Sequence, residues 1–287
     1  MIPLHIVIPT YNRADTLIQN LKAIEHQDLD RSFFSITVVD DGSVDNTLQR
    51  LKEIRDQLNF ELHILTQKNQ GAGAARNAAI GSRPSQYTLF IGDDIFPTTH
   101  DFFSRHLKAQ QTSDQNTNFV GFTTWHPKLP YSRFRIWLEN GGPQFDYRHL
   151  KDRDPMSYRQ FYTSNISIPT QLLMAESFDS CFTGYGWEDI ELGYRIVKNH
   201  HSQIIYLADA KAWHCHELEE ADVWNRLPNM KEGGLYFEHK HPEMTIYPKG
   251  WKKTILGAVT ASPIPQLLGL LKKEWEWHFM LRKKLYP

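Results

Sequence analysis

Two adjacent carboxylates, Asp93 and Asp94, close the run Tyr87-Thr-Leu-Phe-Ile-Gly-Asp-Asp94. At the edge of a core they would repel each other, so a divalent cation with oxygen ligands is their simplest companion; a plain polar turn is the alternative. A second stretch, Gly186-Trp-Glu-Asp189, sets Glu188 and Asp189 beside an indole at the start of a helix. First-turn carboxylates suit the helix dipole without further duty, yet one partly enclosed beside an indole has a route to the raised pKa of a general base. In the third stretch Ala210 to Trp213 runs into His214-Cys-His216. On a strand the two histidines share a face, so an imidazole can join Asp94 on a cation. Cys215 points the other way and belongs to no Cys-x-x-Cys motif.

The elements that must position these groups alternate. Leu4 to Thr10 reads as a strand closed by Pro9, and Leu17, Leu21 and Ile24 follow at helical spacing. Phe34 to Val39 is a second strand, after which Asp45 can cap a helix carrying Leu48, Leu51, Ile54 and Leu58. A third strand, Leu62 to Leu65, precedes the small-residue helix that starts at Gly71, and the strand ending at Ile91 comes next. This alternation predicts a parallel, doubly wound sheet with its ligand site at the strand ends. Those ends gather Pro9-Thr-Tyr11, Asp40-Asp41 and Asp93-Asp94. Tyr11 can stack on a base, Asp41 can accept from a base N–H or serve as a turn residue, and Arg76 can pair with a phosphate or remain a solvated helix charge.

Further along, a helix is expected over His100 to Gln111 and a strand over Phe119 to Thr124. Periodicity lapses between Trp125 and Gln160, where Trp137 and Gly141-Gly-Pro143 suit an ordered substrate-facing loop whose aromatics can bind sugar rings or pad the core. Strand character resumes from Thr163 to Pro169, Gly184 and Gly186 bend the chain, and a helix runs from Trp187 to Val197 with Ile190, Tyr194 and Val197 on one face. Short strands at Ile204 to Leu207 and Ala210 to Trp213 complete the set.

Composition narrows the function classes. Lys plus Arg total 32 against 33 Asp plus Glu, so no global basic field argues for nucleic acid. No basic n-region, no long apolar h-region and two distant cysteines, Cys181 and Cys215, predict a cytoplasmic, reduced chain. Nothing approaches the roughly twenty apolar residues of a membrane span. From Gly250 to Pro287, however, tryptophans and leucines mix with Lys272, Lys273, Arg282, Lys283 and Lys284. That pattern fits an interfacial helix meeting an anionic membrane at its inner face, or a helix packed on the catalytic domain or on a homodimer partner.

Taken in order, Ile6-Val-Ile-Pro-Thr-Tyr-Asn-Arg13, Val38-Val-Asp-Asp-Gly-Ser43, Asn69-Gln-Gly-Ala-Gly-Ala-Ala-Arg-Asn77, Asp93-Asp94 and Gly186-Trp-Glu-Asp189 resemble family 2 glycosyltransferases over roughly Pro3 to His216. The resemblance implies a GT-A fold, a Rossmann-like, mostly parallel α/β sheet flanked by helices, over residues 1–216; beyond it, composition reads 217–287 as a helical extension. The resemblance implies a donor-binding half at 1–124 and an acceptor half at 125–216. It further implies a nucleotide-sugar donor, here expected to be a UDP-sugar, a divalent cation (Mn2+ or Mg2+), a glycan or lipid-linked acceptor hydroxyl, and inversion.

On this resemblance Asp41 recognises the base with Pro9 and Tyr11 beside it, Arg76 supports the diphosphate and Asp93 contacts ribose. Asp94 and His214 bind the metal, and Asp189 is the catalytic base with Glu188 in reserve. One departure stands out: Gly92 occupies the first acidic position of the family's Asp-x-Asp motif. It motivates the alternative of a nucleotide-sugar-binding subunit with impaired catalysis. A dehydrogenase fits less well, because Arg76 replaces the third glycine of the dinucleotide fingerprint.

Overall fold

Apolar side chains at successive positions of a strand need cover on both faces. β1 (Ile2–Thr10) has it, with Leu4, Ile6, Val7 and Ile8 all fully buried. The computed structural model describes residues 1–140, 142, 144–182 and 186–285, apart from the side chains of Trp251, Leu271 and Trp275. Gly141 and Pro143 of the expected loop and Gly184 of the expected bend lie outside the described residues.

After β1 come α1 (Ala14–Ile24), β2 (Phe34–Asp40), α2 (Thr47–Arg55), β3 (Leu62–Thr66), α3 (Ala72–Ala79), β4 (Ser85–Ile91), β5 (Ile95–Pro97) and α4 (Phe102–Gln111). The chain continues through β6 (Thr117–Trp125), α5 (Arg133–Glu139), β7 (Asn165–Pro169), α6 (Thr170–Ala175), α7 (Glu188–His200) and β8 (Gln203–His214). It ends with α8 (Glu220–Lys240), α9 (Trp251–Ala261), α10 (Ile264–Leu271) and α11 (Lys273–Leu285).

The eight strands form one sheet in the order β3-β2-β1-β4-β7-β6-β8-β5. β3, β2, β1 and β4 are parallel, as are β6 and β8, while β7 runs antiparallel to both β4 and β6. The fold is therefore mixed α/β with a mostly parallel sheet, as expected; short β5 pairs antiparallel with β8, and β7 reverses within the sheet. The reason for the reversal is the segment between β6 and β7. It leaves from Trp125 and returns to Asn165, which pairs with Ile91, so it starts and ends at the same edge and the next strand must run back. Carboxyl ends of β1, β2, β3, β4, β6 and β8 all lie along that edge.

Two strand fragments expected near residue 208 are one strand. Gly121 pairs with Leu207 and the next β6 residue, Phe122, with Lys211, so residues 208–210 bulge without ending β8. In α7 the buried residues are Glu191, Leu192, Gly193, Tyr194 and Ile196, not the expected Ile190 and Val197. Glu191 is fully buried because Arg195 donates to it from Nε at 2.8 Å and reaches on to Glu176 at 2.5 Å. Burying the pair needs such mutual compensation.

The chain divides into two compact units. Met1–Leu129, Tyr147–Thr183 and Asp189–His216 make the larger, which holds the sheet. Pro130–Asp146, Gly184–Glu188 and Glu217–Pro287 make the smaller. The smaller unit has its own aromatic core: Trp277 of α11 is 4% exposed, with its ring 5.1 Å from Phe134 and 5.6 Å from Trp137. Trp137 Nε1 donates to His278 at 3.1 Å, and Arg133 pairs with Glu274 at 3.0 Å. Trp277 thus serves packing, not the lipid surface expected for a tryptophan among the lysines of this segment. Among the described residues no helix is long and apolar enough to cross a membrane.

Candidate active site

The acidic pair sits on the turn between β4 and β5, where the Ile95 N–H donates to the Gly92 carbonyl at 3.2 Å. This turn is held from below by one side chain. Asn20 on α1 is fully buried, and its Nδ2 lies 3.1, 3.0 and 3.0 Å from the carbonyl oxygens of Gly92, Asp93 and Ile95. Gly92 has a steric reason as well. A Cβ there would meet Asp94 Oδ1 at 2.9 Å and Ile95 Cγ1 at 3.0 Å, so the glycine leaves Asp94 its place.

Three residues from other strand ends converge on the pair. Thr10 Oγ1 at the end of β1 donates to Asp93 Oδ2 at 2.8 Å. Just beyond β1, Arg13 Nη1 donates to Asp93 Oδ1 at 3.3 Å and to Asp94 Oδ2. His214, the last residue of β8, brings Nε2 to 3.2 Å from the same Asp94 oxygen, and its ring stacks on Trp125 at 4.9 Å. The two carboxylates consequently titrate apart. Burial, then the neighbouring Asp94 charge, raises the pKa of Asp93 against the pull of Arg13 and Thr10. Burial also opposes the charge of Asp94, but His214 and Arg13 outweigh it and hold that group well below the ordinary carboxylate range.

Asp41 lies after β2 and reaches the start of α3. Its Oδ1 accepts from Gln67 Nε2 at 2.7 Å and the Gln70 N–H at 2.9 Å, and its Oδ2 accepts from the Gly71 N–H at 2.8 Å. A carboxylate on these amides suits the positive end of the helix. Gly71 has φ +90°, a left-handed conformation that glycine adopts without strain. Further along α3, Arg76 is 7% exposed, with its guanidinium 5.9 Å from the Phe90 ring and 5.5 Å from that of Phe178. Asn77 fixes Phe178 in turn, donating to its carbonyl at 2.8 Å and accepting from its N–H at 2.9 Å.

Asp189 shares this edge of the sheet. Its carboxylate accepts from the Ile190 N–H at 2.8 Å and from the backbone N–H of Thr163, two residues before β7 begins. Burial raises its pKa, and the Arg76 charge and these amides only partly offset the rise. The group is thus an oriented carboxylate with an elevated proton affinity, which is what base chemistry near neutral pH requires.

Of the other sequence-derived candidates, Pro9 is buried within β1 opposite Val39, and Tyr11 is 44% exposed just past the strand. His216 is half-buried with its ring 5.9 Å from that of His214. Glu188 opens α7 and belongs to the smaller unit, whereas Asp189 belongs to the larger. Arg13 and Asn20 were not singled out from the sequence. Asn20 had a signal, because it lies three after Leu17 and four before Ile24, on the apolar stripe of α1.

Residues 5–163 match the family described as Glycosyl transferase family 2. Validoxylamine A glucosyltransferase of Streptomyces hygroscopicus subsp. jinggangensis is 26% identical over 268 residues, 84% of this chain and 61% of that protein. The chain therefore spans about three-fifths of the length of this curated relative. TarS of Staphylococcus aureus, a poly(ribitol-phosphate) beta-N-acetylglucosaminyltransferase, is 32% identical over 96 residues, 33% of this chain and 17% of TarS. Among solved structures, the mannosyltransferase PcManGT from Pyrobaculum calidifontis with GDP-Man and Mn2+ aligns with a TM-score of 0.69 at 15% identity, covering 99% of this chain and 85% of its own. TarS 1–349 with UDP-GlcNAc aligns at 0.58 and 16%, covering 96% and 78%. Fold and sequence agree, and the chain belongs to glycosyl transferase family 2.

Proposed function

We propose that this protein transfers a sugar from a nucleotide-sugar donor, a UDP-sugar, to a hydroxyl of a glycan or lipid-linked glycan, with inversion. The observation that carries the reading is Asp189, a carboxylate fixed by two backbone amides and raised in pKa on the sheet edge that also bears Asp93 and Asp94. In this reading Asp189 accepts the acceptor hydroxyl's proton as that oxygen forms a bond to the anomeric carbon and the bond to the diphosphate oxygen breaks. A single displacement inverts the centre.

Asp41, Tyr11 and Pro9 border the base, Asp93 the ribose, and Arg76 the diphosphate, where its positive charge opposes the negative charge of the leaving group. Residues 1–124 would then be the donor half and 125–216 the acceptor half. The donor set at Asp94 and His214 fits a Mn2+ or Mg2+ ion: a carboxylate oxygen and an imidazole nitrogen lie 3.2 Å apart. Among the described residues no third His, Cys, Asp or Glu completes a metal-holding group, which suits a cation that takes its remaining ligands from phosphate and water. Such an ion supplies charge neutralisation at the departing diphosphate. Contact of the 250–287 segment with the cytoplasmic face of a membrane and pairing as a homodimer belong to the same reading.

Calorimetric titration with UDP-, GDP- and dTDP-sugars, each with Mn2+ and with chelator, tests the proposal. Binding of one donor that requires the metal is expected. Absence of binding across the panel would contradict the proposal.

A further inference from the structure

With Trp277 of α11 committed to a core, most of the exposed large apolar residues described in the extension lie on α9 and α10. Ile264, Leu267 and Leu270 recur every three residues along α10 and are 44%, 58% and 83% exposed, and Ile255 of α9 is 54% exposed. The two helices touch each other and both touch α11. Water-facing apolar residues at this density mark a contact surface.

The charge around that surface says what the contact is. From Lys249 to Lys273 the chain carries five lysines and no aspartate or glutamate. Lys252, Lys253 and Lys272 are exposed. Beside α9 a cavity of about 550 Å³ is lined by Lys249, Lys252 and Arg282 together with Ile246, Pro248 and Leu256, and none of its lining residues is acidic. Part of the Lys249 charge is met by Glu238 at 3.7 Å, and Lys273 pairs with Glu276 at 2.5 Å, both from outside the hairpin. A second copy of the same face would bring lysine against lysine, which disfavours self-association here.

We propose that α9 and α10 form a membrane-docking hairpin: Ile255, Ile264, Leu267 and Leu270 enter the acyl boundary, and the cavity of Lys249, Lys252 and Arg282 receives an anionic phospholipid headgroup. This deepens the membrane contact proposed above and confines it, within 250–287, to the acid-free helices α9 and α10. An apolar face flanked by lysines is the arrangement that binds an anionic interface through buried area and electrostatic attraction together.

Sedimentation of the full chain with vesicles tests the assignment. Vesicles of phosphatidylglycerol and phosphatidylcholine should carry the protein down, and pure phosphatidylcholine should not. The double substitution Leu267→Ser/Leu270→Ser should abolish sedimentation, and Lys249→Gln/Lys252→Gln should weaken it about thirtyfold, at roughly fivefold per surface lysine. These side chains are exposed or line the cavity, so unchanged circular dichroism is expected for both variants. Equal binding to both vesicle types, binding to neither, or binding that survives the leucine substitutions would overturn the proposal. So would a concentration-dependent dimer that the leucine variant loses, because a second copy would then own the face. Donor titration of the same samples keeps the two readings separable. The variants should bind donor as the wild type does, and a wild type that binds vesicles but no donor would remove the transfer reading alone.

Discussion

The Arg13 guanidinium lies on Asp94 Oδ2, the same oxygen that His214 Nε2 faces at 3.2 Å. A protein cation therefore stands where the two acidic side chains need one. Arg13→Met should lower stability by about 2 kcal/mol near neutral pH, less than for a fully buried pair because Arg13 is partly exposed. The loss should shrink as pH falls and Asp93, already raised in pKa, takes up a proton. Urea unfolding of both proteins across pH, with and without Mn2+, measures this, and Mn2+ should restore stability preferentially in the variant.

Asn20→Leu should cost about 3 kcal/mol and weaken donor binding. It removes an amide whose Nδ2 lies within hydrogen-bond reach of the Gly92, Asp93 and Ile95 carbonyls, of which that of Gly92 keeps the Ile95 N–H. Denaturation midpoints and donor calorimetry on the same variant check both halves. A stable variant with normal donor affinity would show that the turn holds itself.

The sequence discloses this site unevenly. Strands β1, β2 and β4 are legible because continuous apolar runs ending in polar residues can only be buried strands meeting an edge. Asp41, Asp93 and Asp94 are visible as carboxylates at those ends, and His214 as the histidine closing a later strand. Reversal of β7 was not, since direction depends on where the 126–164 segment returns and no local periodicity records that. Arg13 is not legible because a charged residue just before a helix normally faces water, and Asn20 on the apolar stripe of α1 signals burial without naming what it holds. Only the three-dimensional turn of Gly92 to Ile95 shows what they hold. Trp277 failed in the opposite sense: an aromatic beside lysines looks interfacial until Phe134 and Trp137 are placed against it.

Two buried histidines should make the fold acid-sensitive. His5 and His106 are fully buried, and burial chiefly lowers each pKa from 6.5 to about 4, with His63 and Arg83 adding to the effect at His5. Between these values the unfolded chain binds protons that the folded chain does not. Stability is therefore full above about pH 6.5 and falls as pH drops toward 4, by at most about 3 kcal/mol per histidine. His106→Gln should flatten part of this slope in pH-dependent urea unfolding, and an unchanged slope would assign it to other groups.

On the proposed reading, the raised pKa of Asp189 should set the acid limb of the transfer reaction. A base works when ionised, so the rate should fall as pH drops through a value above the roughly 3.9 of an ordinary aspartate. Arg76→Met, which removes a charge favouring the ionised form, should move that limb to higher pH. The pH dependence of transfer at saturating donor reads the displacement directly.

The most direct test of Asp189 as the base is the pairing of transfer rate with donor affinity in Asp189→Asn, a substitution that keeps the shape and removes the proton acceptor. The expected result is donor binding within about twofold of wild type and transfer lowered about a thousandfold or more. Undiminished turnover in Asp189→Asn would contradict the account and place the base elsewhere.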